Sequence, residues 1–500
     1  MVQIIKSFCL CNALLILVLT STKGQNFNDF TNNVSTLNIT NTIDTLTSNF
    51  YHGRGVENSM QVMEYLTNEF KKFGLSPIKS GSYSQEITPF VYENYSDSSY
   101  IRFEDIQLKI KKDFLHSLFD FKNNYNKTSG EIVSKTIFIG EAHRHMDSIL
   151  HGVNVKNKIV VYFNKKGISS DIKIICKEKG ALGTINILNS HEEFEKYDTI
   201  FALAANMTRK INLHYKNPKI NSNIEIFLSP DAGANLLGIK KNKLKNYTKK
   251  YNSIGDSVHY QIPHELKINL HREKKYYRSG NVIGYLQGTD TCGGHIILSA
   301  HYDHIGTYQN GYYPGANDNA SGISCLLESA RILSAAYNTG IKPKKNIIFI
   351  AFGLEESRLL GSDYYVNHPE FPLEKLKANI NLDMIGRQDK YHDTISNYIY
   401  ALGPDSLSLD LKNLINNIND KYNFVQLEFL KGFPNANEFF SQSSDQFNFL
   451  KRDIPAVLIT NGMQKDLHQP SDTKEKLKFS TIRNVTKLIL STVWELANTE

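Results

Sequence analysis

From about residue 280 onward, short apolar runs alternate with segments whose apolar residues recur every three or four positions. Ile296-Ile297-Leu298-Ser299-Ala300, Asn346 to Phe352, Ala378 to Leu382 and Ala456 to Ile459 read as strands buried on both faces. Gly322 to Leu333, Ser357 to Asn367, Leu407 to Tyr422 and Thr481 to Ala497 read as helices. This alternation predicts an α/β fold, a mostly parallel central sheet with helices on both faces. An earlier helical pattern runs from Ile43 to Leu75, with Val62, Met63, Leu66, Phe70 and Phe73 on one side and Gly74 as its stop. Between about 130 and 230 the elements are shorter. Lys158 to Phe163 and Thr184 to Leu188 read as strands, Ser170 to Glu178 and Asp231 to Tyr247 as helices. Residues from about 80 to 125 show no clear period.

A chain of 500 residues is long for one domain and predicts two or three. Its 41% hydrophobic and 11% aromatic content is that of a globular protein. The net charge of +7 is modest. A basic run at Lys240, Lys241, Lys243, Lys245, Lys249 and Lys250 reads as a solvated surface rather than a nucleic-acid or lipid patch, so no nucleic-acid partner is expected. Lys6, the apolar stretch Phe8 to Leu19 and the small polar residues up to Gly24 read as a signal peptide over residues 1–24. The expectation is a secreted or periplasmic protein with no stable membrane insertion after signal removal. Cys176, Cys292 and Cys325 would remain, an odd and widely spaced set that makes neither a disulfide framework nor a paired-cysteine zinc site. Sequons stand at Asn33, Asn38, Asn94, Asn126, Asn206, Asn246, Asn319 and Asn484.

The ends of the predicted strands carry the chemistry. His301 and Asp303 follow the first, Glu355 and Glu356 the second, Asp383 the third; His468 follows the last at more distance. Asp318 lies in the tight loop Gly315-Ala316-Asn317-Asp318-Asn319-Ala320-Ser321-Gly322. Sites in such sheets form at the carboxyl ends of the strands. Two imidazoles and three carboxylates suit zinc, and also cobalt or manganese. A pair of ions about 3.5–4 Å apart needs a shared carboxylate, and Asp318 is placed for it. Asp303 can accept the second imidazole proton of His301. Of the adjacent glutamates, one can bind metal while the other takes a proton from water. His304 reads as a structural neighbour, His295 as a surface residue and His368 as a helix end.

These motifs closely resemble the co-catalytic zinc aminopeptidase family, which includes bacterial leucyl aminopeptidases, aminopeptidase Y and glutamate carboxypeptidase II. The resemblance covers about 275–500 in the family's order. It implies two zinc ions in a phosphorylase/hydrolase-like peptidase fold, with His301 and Asp383 on one ion, Glu356 and His468 on the other and Asp318 bridging. It further implies Glu355 as general base, Asp303 as partner of His301, and a cis peptide between Asp318 and Asn319. The Gly152–Val161 segment resembles the entry of a protease-associated domain, a mainly-β α/β insertion, with Asn157 where that domain usually has glycine. The implied organisation is a peptidase segment over 25–95, an insertion over 96–265 with its core at about 130–230, and a catalytic domain over 266–500. Some family members carry an aromatic residue before the last histidine ligand; here it is Leu467. The expected function is an aminopeptidase acting on peptide substrates. Carboxypeptidase or dipeptidase action and a glutaminyl-cyclase-like acyl transfer are the alternatives, with Arg387 as the anchor a carboxypeptidase would need.

Overall fold

A computed structural model describes residues 27–499 apart from 79–80, 117–129, 142–149, 151, 164–168, 208–209, 212–223, 245–259, 291, 309–310, 393 and 430–441. The expected signal segment 1–24 and Lys245, Lys249 and Lys250 of the basic run therefore lie outside the described residues. Among the described residues, no helix is long and apolar enough to cross a membrane.

The chain divides into two units, one holding residues up to 87, 279–355 and 359–500, the other 88–278 with the short turn 356–358. The chain passes between them within two long strands, Ser84–Tyr95 and Arg272–Leu286, and again on either side of the turn 356–358. The expected insertion, 96–265, falls inside the second unit.

In the first unit, Leu376–Leu382, His295–His301 and Asn346–Phe352 are adjacent parallel strands, with Ala456–Thr460 parallel on the outer side of Leu376–Leu382. The end of Arg272–Leu286 and the strand Tyr398–Leu402 run antiparallel to their neighbours, so the sheet is mixed. Alternate residues serve opposite cores, which explains why these strands read as unbroken apolar runs. Ile296, Leu298, Ile347, Phe349 and Ile380 pack in one cluster with the helices Gly322–Asn338 and Phe479–Asn498. Ile297, Ile348, Ile350 and Phe352 pack in another with Tyr365 of Leu360–Asn367 and Phe449 of Gln446–Leu450. His295, expected at the surface, is buried at the start of its strand, with Nδ1 3.0 Å from Asn346 Nδ2 and its ring edge-on to Phe371. A strand covered on both faces leaves its first side chain no route to water. His368, as expected, caps a helix end.

The helical pattern predicted from Ile43 to Leu75 is two helices, Thr36–Leu46 and Ser59–Phe73. Gly74 closes the second in the left-handed conformation, at φ 79°, as a glycine C-cap does. Between the helices the chain turns through His52, Gly53 and Arg54, all at positive φ. A Cβ on Gly53 would lie 2.5 Å from the carbonyl oxygens of Gly306 and Tyr313, so only glycine fits. This turn delivers Arg54 into the protein interior.

Among the described residues, the second unit is built on an eight-stranded mixed sheet. At its centre, Gly130–Glu141, Ile159–Phe163, Gly183–Ile187 and Ile224–Leu228 are parallel neighbours. Tyr260–Leu270 pairs antiparallel with Gly130–Glu141, and its register shifts between Ile262 and Glu265, where Pro263 has no N–H to give the ladder. The predicted strands at 158–163 and 184–188 and the helix at 170–178 appear within a residue or so of their expected bounds. The helix expected from Asp231 to Tyr247 is shorter, Pro230–Leu236, followed by a 3-10 turn at Lys241–Lys243. Asn157, standing where glycine was expected, has φ 57°. Asparagine tolerates that conformation better than other non-glycine residues, so the turn is kept.

Candidate metal centre

Strand register brings the site together. Within the sheet Ala300 lies beside Leu382 and His301 beside Phe352, so Asp383 and Glu355 issue from the same edge as His301. His301 Nε2 lies 3.2 Å from Asp383 Oδ1. His301, Glu355 and Asp383 each offer one donor atom within 4.8 Å of the others. Backbone at the site is unusual: Leu354 and Met384, next to Glu355 and Asp383, sit at φ 60° and 57°, and His468 itself at φ 54°. Such conformations cost about 1–3 kcal/mol each and persist where the surroundings enforce them.

Asp318 stands between two histidines. Its Oδ1 is 3.3 Å from His301 Nε2 and its Oδ2 3.3 Å from His468 Nε2. The Asp318–Asn319 peptide is cis. Glycine at 315 is obligatory: at φ 57°, a Cβ would meet the Asp318 carbonyl oxygen at 2.2 Å and the His304 ring at 2.5 Å. The rest of the loop is tied to the strand that ends at Leu382. Asn319 donates to the Leu382 carbonyl at 2.8 Å and accepts from the Gly322 N–H. Ser321 accepts from Ile385 and Asn317 from Gly386. Asn319 is fully buried, so its sequon is not a surface acceptor.

His304, Asp318 and Glu356 form a further donor group within 4.8 Å. His304 Nδ1 is 3.6 Å from Asp318 Oδ2. His304, read from the sequence as a structural neighbour, thus lies beside the bridging candidate Asp318. Asp303 meets His301 differently from expectation. Nδ1 of His301 faces the backbone carbonyl of Asp303 at 3.2 Å, while the carboxylate is 3.8 Å away. That carboxylate instead accepts the Glu355 N–H at 3.0 Å and so fixes the glutamate turn.

The electrostatics of this cluster are lopsided. Burial works to lower the pKa of His301, but the carboxylates of Glu355, Asp383 and Asp318 outweigh it and hold the ring well above its ordinary value. Burial works to raise Asp318, yet His304, His301 and His468 pull it well below the usual carboxylate range. Five carboxylates (Asp303, Asp318, Glu355, Glu356 and Asp383) converge on three imidazoles. The donors are nitrogen and oxygen without thiolate, which suits zinc. Their spacing also fits. Ligands at about 2.0–2.1 Å from a tetrahedral ion are about 3.3 Å apart, and the nitrogen–oxygen separations here are 3.2–3.3 Å.

Residues 281–493 match the model of peptidase family M28. This stretch of the chain belongs to that family. Aminopeptidase YwaD of Bacillus subtilis is 28% identical over 284 residues, 55% of each chain. Uncharacterized protein YfbL of Escherichia coli is 30% identical over 225 residues, 40% of this chain and 66% of that one. The chain thus spans about half to two thirds of the length of these relatives. A zinc aminopeptidase structure from Bacillus subtilis superposes with a TM-score of 0.58 at 18% identity, over 93% of this chain and 96% of that one. An aminopeptidase from Aneurinibacillus sp. strain AM-1 gives 0.55 at 18% identity, over 95% and 97%. At that identity the likeness shows a shared fold.

Several residues of the M28 unit's centre were not singled out from the sequence. Asp472 accepts backbone N–H groups from the loop that carries Asp318. Arg54 bonds the carbonyls of the same loop. Asp445 is fully buried, within electrostatic reach of His301, Asp303 and Asp383. Burial first, then those two aspartates, push its pKa up to about 7. Its one sequence signal is Ser443-Ser444-Asp445 ahead of the Gln446–Leu450 helix, and Arg54 has none beyond a glycine on each side. Arg387 donates to Asp466 at 2.6 Å and lies 3.7 Å from Asp472.

Proposed function

We propose that this chain is a secreted di-zinc aminopeptidase that removes the N-terminal residue of peptides. The observation that carries the reading is the Asp318 carboxylate, with one oxygen 3.3 Å from His301 and the other 3.3 Å from His468. His301 and Asp383 would hold one zinc, Glu356 and His468 the other, with Asp318 shared; cobalt or manganese can substitute. Bound there, the ions supply Lewis-acid polarisation of the scissile carbonyl and acidify the attacking water.

The protein's own groups do the proton work. Glu355 takes the proton of the attacking water on its carboxylate and returns it to the departing amine nitrogen. The Asp303 carboxylate fixes the Glu355 turn through its N–H, and the Asp303 carbonyl orients His301 through Nδ1. The engagement of Arg387 with Asp466 takes away the anchor a carboxypeptidase would use, which favours aminopeptidase action. The second unit contains the protease-associated domain in this reading, and residues 1–24 are a signal peptide.

Purified protein assayed on free and N-terminally blocked aminoacyl substrates, with and without a chelator, tests the reading. Hydrolysis of free N-termini alone, lost on chelation and restored by zinc or cobalt, is the expected result. Hydrolysis that survives thorough chelation would sink it.

A further inference from the structure

The loop that presents Asp318 is gripped by two buried, oppositely charged side chains from distant parts of the chain. Arg54 is fully buried and donates to five backbone carbonyls. Its Nε reaches the Tyr302 carbonyl at 2.8 Å, one residue after His301. Its Nη1 reaches Leu46 at 3.0 Å and Pro314 at 2.7 Å. Its Nη2 reaches Gly315 at 2.8 Å and Asp318 at 3.2 Å. Asp472, also fully buried, takes the amides of the same loop. The Asp472 carbonyl accepts from Ala316 at 3.1 Å. Its carboxylate accepts from Asn317 at 3.0 and 3.2 Å and from Asp318 at 3.1 Å.

We infer that Arg54 and Asp472 are positioning residues that together hold the Asp318 carboxylate in its bridging orientation, one through the loop's carbonyls and the other through its amides. The inference rests on the two-ion reading of the centre. The physical case is that a bridging ligand must face two ions at once, and a short loop without side-chain bulk cannot hold one orientation alone. A planar guanidinium has five N–H donors in a rigid fork, so it can bind several carbonyls that a lysine ammonium could not reach together. A carboxylate has acceptor sites enough for successive amides. Gly315 belongs to this arrangement: a Cβ there would lie 2.6 Å from Arg54 Nη2. Asp472 is itself held in place. Arg387 lies 3.7 Å from its Oδ1, and Arg387 is fixed by Asp466, which also accepts from Ser471 and Lys476.

Cobalt titration of the metal-stripped full chain, read by calorimetry and visible absorbance, tests this. Wild type, Asp472→Asn, Arg54→Lys and Ile415→Ala are compared, the last a core truncation in the Asp405–Tyr422 helix. Wild type is expected to bind two ions. Asp472→Asn and Arg54→Lys should weaken at least one site by about tenfold to a hundredfold, as loss of outer-shell partners does. Their activity should return at high cobalt. Ile415→Ala should lower the melting temperature and leave cobalt affinity unchanged. Arg54→Lys carries the test alone should Asp472→Asn not fold. Folded variants that bind both ions with wild-type affinity would overturn the clamp. A wild type that binds no cobalt would instead bring down the two-ion reading, and the clamp with it.

Discussion

Each unit of this protein buries charge, and the two do so by opposite rules. In the second unit Lys173, on the Ser169–Glu178 helix, pairs with Glu225 on the Ile224–Leu228 strand, and both are buried. The ammonium also lies 5.3 Å from the Phe227 ring centroid. That is one positive group for one negative group, closed within the protein, although burial still pulls the lysine down to about 7. In the first unit four carboxylates (Asp303, Asp318, Glu355 and Asp383) meet three imidazoles, an excess of negative charge even with every ring protonated. A buried charge must be paired or coordinate a metal. A balanced pair satisfies that rule by itself; the unbalanced cluster calls for cations from outside. The contrast separates a structural ion pair from a metal centre by charge count and geometry.

The sharpest break of this comparison is Asp318→Asn. It removes the charge that the proposed centre would share between two ions, and loss of paired metal and of activity is expected, measured by metal analysis and turnover. Binding of two ions at wild-type affinity would contradict the bridging role. Glu355→Gln comes next. It should keep both metals and lose about 10²–10⁴ in turnover, the usual cost of removing a general base. A fully active Glu355→Gln would show that another group takes the proton.

The second unit gives the converse. Lys173→Met leaves Glu225 buried and unpaired and should cost about 3–5 kcal/mol in denaturant unfolding. Turnover per folded molecule is expected to stay the same. Lys173→Met with Glu225→Leu should recover most of that loss, since apolar replacement of a whole buried pair is often neutral or better. If the double variant is no more stable than the single one, the pair is doing something other than cancelling charge.

The smallest effect tests an intermediate case, a histidine shared by two carboxylates. His392 stacks on Tyr398 and reaches Asp389 at 2.7 Å and Glu428 at 3.0 Å, with the Tyr400 hydroxyl 3.3 Å away. Burial opposes its charge, but Asp389 and Glu428 raise its pKa above the ordinary value. The unfolded chain has the ordinary value near about 6.5. The cluster therefore contributes its full stability below that pH and loses it as pH rises through the raised folded value. Wild type should lose more melting temperature than His392→Gln between about pH 6 and 9. Parallel curves for the two would remove His392 as the source.

How much of this was legible depends on where the information sits. The strands at Ile296–Ala300, Asn346–Phe352 and Ala456–Ile459 could be read because a strand buried on both faces is an unbroken apolar run. The strands in the region that showed no period could not. Tyr100–Phe103 and Ile106–Lys109 are four residues each and pair with each other, and the buried residues in them are too few to set a pattern. Tyr260–Leu270 was missed because its partner lies far back, at Gly130–Glu141, and a proline interrupts it. The ligand types could be read because histidine and carboxylate at strand ends are chemically unusual. The place of His304 and the partner of the Asp303 carboxylate could not, because neither follows from residue type.

The sequence by itself determined the kinds of donor, their order along the chain and the strands that bear them, since composition and periodicity are local properties. Only the tertiary structure decided that Ala300 lies beside Leu382 and His301 beside Phe352, which gathers those donors at one edge. It also decided that each Asp318 oxygen faces a different histidine, and that Arg54 and Asp472 close on the same short loop. The physical reason is that register and loop orientation are set by hydrogen bonds between residues tens to hundreds of positions apart, and no local pattern carries them.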